Sequence, residues 1–370
     1  MKKSLVAIAA LATVGAAFAQ SSVTLYGRMD MEVTSKVYTS AAGVKSDAGM
    51  MLQNGGLLNS RWGMTGTEDL GGGMKAIFTL ESGFRPDDGI IGTGGGGVHH
   101  PSPAAGQALL FGRVTQVGLT GGFGTIKAGR GYAAYDSSTG VGDSQGATNY
   151  TPYTLVINGG MTGLPSVHGD GGTTGPGRVS NSINYISPTV SGFSGQFTWS
   201  PGENKTATTD ASSYTGFNVM YSNGPLSLAF GQESVAPAVG PTNSAYLIQG
   251  NYDLGMAKLY ALYKSAEMGA GALATNYYTI AGKDEGYGFG VKIPAGPANI
   301  QLSYATMKTT KTGMAVAQEV SAFGATVEYP LSKRTMAYAE MVNMKGTAAG
   351  AVKPAEAKQE NFGVGLVHKF

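Results

Sequence analysis

Four histidines, His99, His100, His168 and His368, are the side chains best suited to proton transfer or metal binding, and their spacing favours neither. His99 and His100 are adjacent, so on a strand their rings point to opposite faces. No HExxH pair is present, and no GxxxxGKS or GxxxxGKT loop is available to cradle phosphate. A nucleophilic serine needs a base held by a third group, and no nucleophile elbow is expected. Neither a metal site nor a cofactor is expected. The chemistry left to this chain is that of fixed charge, so what matters is which surfaces carry its charged residues.

Two strand-like segments answer that. In Val23–Glu32 one face holds Val23, Leu25, Gly27, Met29 and Met31, and the other Thr24, Tyr26, Arg28, Asp30 and Glu32. Setting Arg28 against lipid would cost ~2–4 kcal/mol near the midplane, so the second face lines water. At the other end, Phe362, Val364, Leu366, His368 and Phe370 alternate with Gly363, Gly365, Val367 and Lys369. This is the pattern of a strand that closes a membrane barrel, with lipid on one side only.

The amino terminus and the composition agree. Met1-Lys2-Lys3, the apolar run to Phe18 and Ala17-Phe18-Ala19 read as a secretory signal peptide over residues 1–19, leaving a single domain over 20–370. Without Lys2 and Lys3 the 25 basic residues fall to match the 23 acidic ones, so charge balance gives no reason to expect a nucleic-acid partner. Cysteine is absent, and only 13% of residues are charged, against roughly a quarter in soluble proteins. No apolar run past the signal reaches the ~18–20 residues of a spanning helix. An exported, charge-poor chain without hydrophobic helices points to an all-β, closed antiparallel transmembrane barrel.

The remaining sequence supplies the strands. Alternating segments of about ten residues are predicted near 23–32, 59–66, 74–82, 109–119, 125–131, 179–187, 193–199, 213–221, 226–232, 244–253, 257–266, 286–293, 299–308, 318–328, 335–343 and 360–370. That makes sixteen strands, joined alternately by tight turns and long loops. Val33–Leu58 reads as a long loop, and Tyr132–Gly177 as the longest, a size rare in structureless connections unless they are functional. Tyr185, Tyr221, Tyr252, Tyr304, Tyr329 and Tyr338 sit near strand ends, where aromatic girdles are expected. Arg113 and Arg130 break alternation, which calls for a bulge or for strands that face partner subunits.

Several segments resemble Gram-negative trimeric porins of the betaproteobacterial and neisserial type. These are Ser60-Arg61-Trp62-Gly63-Met64-Thr65-Gly66 running into Glu68–Gly73, Leu110-Phe111-Gly112-Arg113, Asn181–Tyr185 with Ser187-Pro188, Leu331–Thr335, and the closing strand to Phe370. The resemblance spans nearly the whole chain after the signal. It implies a homotrimer of sixteen-stranded barrels with short periplasmic turns, long outer loops and a third loop, here about 132–177, folded into the lumen. It also implies a constriction with a basic wall, matched by Arg61, Arg113 and Arg130 with Arg28 and Arg178 beside them. Asp136 and Asp143 are then the constricting-loop acids. Phe370 resembles the signal read by the barrel-insertion machinery. The alternative for the arginines is that they are lumen groups paired with Asp30, Glu32 or Glu81.

The expected function is therefore an outer-membrane channel, not an enzyme, for passive diffusion of small hydrophilic solutes and ions, with a preference for anions. Its partners would be outer-membrane lipid and lipopolysaccharide. A substrate-selective barrel and a surface adhesin or receptor barrel are the alternatives that the same fold accommodates.

Overall fold

A computed structural model describes residues 22–91, 110–146, 148, 151–154, 177–203, 205–208, 210–237, 240–269, 282–312, 317–347 and 356–370. The expected signal, residues 1–19, and His99, His100 and His168 lie outside these residues.

The chain forms β1 (Ser22–Thr39), β2 (Lys45–Asn54), β3 (Arg61–Gly71), β4 (Met74–Gly83), β5 (Val114–Gly121), β6 (Gly124–Tyr132), one helical turn α1 (Ala134–Ser137), then β7 (Arg178–Ile186), β8 (Phe193–Ser200), β9 (Ser213–Asn223) and β10 (Leu226–Ala236). It continues through β11 (Asn243–Asp253), β12 (Lys258–Met268), β13 (Gly282–Ala295), β14 (Ala298–Lys311), β15 (Gln318–Pro330), β16 (Thr335–Thr347) and β17 (Glu356–Lys369). From β3 to β17 sequential neighbours pair antiparallel, and β17 pairs with β1 from Arg28↔Lys369 to Thr39↔Lys358, which closes the cylinder.

Seventeen strand segments occupy sixteen wall positions. β1 pairs with β3 over Ser22–Arg28 and with β2 over Met31–Thr39. β2 and β3 are thus the upper and lower halves of one wall strand, parted by residues 55–60. This corrects the expected Val33–Leu58 loop: β1 runs on to Thr39 and turns back as a hairpin. The segment is rich in Ser, Thr, Lys and Gly on both faces, so no apolar stripe marks it as strand. β5 starts at Val114, five residues later than expected.

The distribution of side chains is inverted relative to a soluble protein. Val23, Leu25, Val117, Ile248, Phe289, Phe362 and Leu366 are exposed on the outer wall, whereas Asp30, Glu81, Arg113, Gln301 and Glu340 are buried within. Antiparallel ladders run from β1 through β3 and on to β17 and back to β1, closing the ring as lipid demands. Outward aromatics Phe123, Tyr185, Phe193, Tyr252, Tyr329 and Phe370 mark the short-turn end, with the Phe193 and Tyr221 rings tilted against each other at 4.6 Å between centroids. Tyr338 departs from the expected girdle. It faces inward, is buried, and donates to Asp30 Oδ1 at 2.8 Å.

Candidate pore constriction

The connection between β6 and β7 turns into the lumen immediately after Tyr132. The backbone N–H of Ala134 donates to Thr198 Oγ1 (2.9 Å), and Asn218 Nδ2 donates to the Ala134 carbonyl (2.5 Å), which fixes α1 against β8 and β9. Gln249 on β11 holds the loop with both ends of its carboxamide: Oε1 accepts from Gly142 N–H (2.9 Å) and Nε2 donates to the Ser138 carbonyl. Asn251 Nδ2 donates to the Val141 carbonyl (2.8 Å), and Ser144 Oγ to the Leu302 carbonyl (2.9 Å). Further on, Gln145 donates to Thr326 Oγ1 and accepts from Ser303 Oγ.

Apolar contacts back the polar ones. Tyr135 and Tyr153 of the loop pack on Ala245, Leu247, Leu262, Met307, Val320 and Val342 of the wall. At Gly324 a side chain would meet the Pro152 ring 2.6 Å away, so glycine lets the loop lie flat on β15. The described residues of the loop therefore follow the β8–β15 side of the cylinder.

A cavity of about 330 Å³ lies between Ser137 of the loop and a wall of Tyr26, Arg61, Glu81, Gln116, Lys127 and Tyr132. Glu81 gathers the wall groups. It accepts Arg113 Nε at 2.7 Å and Tyr26 OH at 3.1 Å, and Arg61 Nε lies 3.4 Å away. Arg113 Nη2 donates to Tyr132 OH (3.0 Å), Arg178 Nη2 donates to the same oxygen, and the Arg178 guanidinium lies over the Tyr132 ring at 4.2 Å. Arg130 donates to the Gly112 carbonyl (2.7 Å) and Ser180 Oγ (2.9 Å), and Arg28 Nε to the Asn59 carbonyl (3.2 Å).

The two breaks in alternation have local causes. Arg113 precedes β5 in an irregular segment, so strand parity does not govern it and its side chain is buried. At Arg130 the β6–β7 register shifts between Gly129 and Gly131, a bulge that redirects the side chain.

The two loop acids separate. Asp136 lies beside Gly177 and feels Arg178 and Arg113, and burial lifts its carboxyl from 3.8 to about 6 against their pull. Asp143 accepts from Gln145 N–H (3.3 Å) on the far side of the loop, where it lines a second cavity of about 230 Å³ with Lys258, Lys292 and Glu328. Asp30 and Glu32 bond to groups other than the arginines among the described residues. Asp30 accepts the Leu58 N–H (2.6 Å) and Tyr338 OH, and Glu32 accepts from Gln53. Sequence reasoning missed Tyr132 and Lys127. Lys127 shares parity with Thr125 on a readable strand, and that signal could have placed it in the lumen.

A family model described as Gram-negative porin matches residues 4–349. The chain belongs to the Gram-negative porin family. It is 32% identical to outer membrane porin protein 32 of Delftia acidovorans over the full length of both chains, and 29% identical to an outer membrane porin protein of Bordetella pertussis, again over the whole of each. The solved structure of an anion-selective porin from Comamonas acidovorans superposes with a TM-score of 0.70 at 28% identity, covering 95% of this chain and all of that one. OmpT of Vibrio cholerae, at 14% identity and a TM-score of 0.64, shares the fold.

This porin is a channel of the bacterial outer membrane, and solutes cross it by passive diffusion. It catalyses no reaction. Gly142-Asp143-Ser144-Gln145-Gly146 does carry the GxSxG spacing, against the expectation of no such elbow. A nucleophile elbow needs a strand before the serine and a helix after it. Here the serine lies on the inward loop and its hydroxyl is spent on Leu302.

Proposed function

We propose that this porin admits small hydrophilic solutes with a preference for anions, selected between the basic wall and the inward loop. The observation that carries the reading is the crowding of Arg28, Arg61, Arg113 and Arg178 near Glu81 and Asp136, with Arg130 beside Arg178. Guanidiniums outnumber carboxylates there, and Lys127 adds a cation to the same cavity. Low-dielectric walls focus such a field, and clustered charge biases which ions enter a narrow pore. Arg61 and Lys127 meet the solute, Arg113 is buried behind them, and Asp136 moderates the field from the loop. The relative from Comamonas acidovorans is described as anion-selective, which supports the same sign.

The reading extends to assembly. Residues 1–19 direct export and are cleaved, the domain spans 20–370, and the loop at about 132–177 narrows the lumen. Three copies associate, as the resemblance of the Ser60–Ala76 and Leu331–Thr335 segments to trimeric porins implies. Lipopolysaccharide surrounds the outer loops, and Phe370 is read by the insertion machinery.

Reversal potentials across a planar bilayer with a KCl gradient test the central reading. Anion preference in the wild type, reduced in Arg61→Ala, supports it, and cation preference in the wild type removes it. Conductance steps in groups of three equal levels test the trimer. A substrate-selective channel would instead show saturable block by a single solute.

A further inference from the structure

We infer that Tyr132 is a positioning residue of the pore, holding Arg113 and Arg178 side by side on one phenol oxygen. This deepens the anion-preference reading and rests on it for its physiological meaning. Tyr132 is the last residue of β6 and stands directly opposite Arg178, the first residue of β7. The pair is the stem from which the inward loop leaves the wall, and the Ala133 N–H bonded to the Gly177 carbonyl (3.3 Å) is the next rung.

Two neighbouring guanidiniums repel, so something must hold them near each other. The Tyr132 oxygen takes an N–H from each, from Arg113 Nη2 at 3.0 Å and from Arg178 Nη2. A phenol oxygen has the lone pairs to accept both. The ring contributes separately. Arg178 lies over its face at 4.2 Å, where the negative quadrupole attracts a cation. Glu81 holds Arg113 and Arg61 on the other flank, and the Asp136 carboxyl attracts Arg113 and Arg178 from the loop without a bond that joins them. Tyr132 is thus the group that ties the loop stem to the buried end of the basic wall, while itself lining the cavity through which solute passes.

The consequence is specific. Removing the oxygen leaves the ring, the fold and every formal charge in place, yet frees both guanidiniums to separate. Their combined field at the cavity then weakens. Tyr132→Phe should keep the heat-resistant folded form and move the anion-to-cation permeability ratio toward cations relative to wild type. Arg178→Lys keeps the charge but loses the planar fork that reaches the phenol. It should shift the ratio in the same direction, and the double variant should shift it no further, because the two residues act as a unit.

Reversal potentials of wild type, both single variants and the double variant, measured in one KCl gradient, decide the matter. The inference is read from the difference between variant and wild type, whereas the anion reading is read from the wild type alone. A cation-preferring wild type would remove the anion reading. An unchanged ratio in Tyr132→Phe, or additive shifts in the double variant, overturns the role of Tyr132.

Discussion

Phe370 and Gly27 close the barrel as a matched pair. Each backbone N–H donates to the other's carbonyl at 3.1 Å, and the Phe370 ring lies across the glycine so closely that a side-chain carbon at 27 would fall 2.3 Å from its Cζ. The aromatic covers the one position on β1 where the outer wall has no side chain of its own. Gly27→Leu should therefore displace the ring, at a cost of about 1–3 kcal/mol for forced overpacking. Folding yield into detergent, read from heat-modifiable mobility on a gel, should fall to a similar degree in Gly27→Leu and in a chain lacking Phe370. A wild-type yield in Gly27→Leu would show that the seam tolerates the change.

Lys127 stands on the cavity wall near Arg61 and takes no part in the Glu81 cluster. Lys127→Ala should lower anion preference while leaving thermal stability within about 0.5 kcal/mol of wild type, as for substitutions away from packed features. The shift should be largest at low ionic strength and shrink as the Debye length falls to about 3 Å at 1 M salt. Selectivity measured at two salt concentrations checks both statements.

Asp136 brings pH dependence. Burial raises its carboxyl to about 6, above the ordinary 3.8, so ionising it costs free energy in the folded loop. The sign follows: that cost is absent well below pH 4, builds as pH rises from about 4 to about 6, is complete above that, and is relieved again by acid. The open channel should respond in the same window. Between pH 7 and pH 5 the carboxylate is protonated, a negative charge leaves the site beside Arg178, and anion preference increases. Asp136→Asn should hold the low-pH selectivity at both values. A wild-type ratio that is flat between pH 7 and pH 5 would assign the titration elsewhere.

Gln249 clamps the loop by bonding Gly142 N–H and the Ser138 carbonyl. Gln249→Leu removes both bonds, each worth about 0.5–1.5 kcal/mol, and strands the two backbone groups. The expected outcome is a channel with larger and noisier single-channel currents, because this stretch of loop is no longer fixed to β11. Currents indistinguishable from wild type would mean that the Asn251 and Ser144 contacts suffice.

Tyr338 and Asp30 hold residues 55–60 inside the barrel, since Asp30 also accepts the Leu58 N–H, and Leu57 packs beside Tyr338 and Val367. Tyr338→Phe should cost about 1.5–3 kcal/mol, the range for a bond to a charged acceptor. Urea unfolding from lipid vesicles would measure it.

The strands were legible because lipid leaves the backbone no choice. Alternation in 23–32 and 360–370 is forced when one face meets hydrocarbon and the other water, and that signal survives in a single sequence. The resemblance carried by Ser60–Ala76 and Leu331–Thr335 reached the family for the same reason: tight turns between spanning strands leave few residue choices. Where both faces are wet the signal fades, and so β2 read as loop.

The sequence alone determined a closed barrel of alternating strands, the place of its longest connection, and by parity the wet face that carries Arg28, whereas parity pointed Arg113 and Arg130 the wrong way and only the resemblance set them in the lumen. Only the tertiary structure decided who meets whom across it. Arg113 and Arg178 lie 65 positions apart by number and reach one phenol oxygen, Tyr338 leaves the girdle for Asp30, and Asp136 and Asp143 part to opposite sides of the loop. Pairing across a lumen depends on how the sheet curves and where a loop docks. Those are properties of contacts between distant strands, and no local period records them.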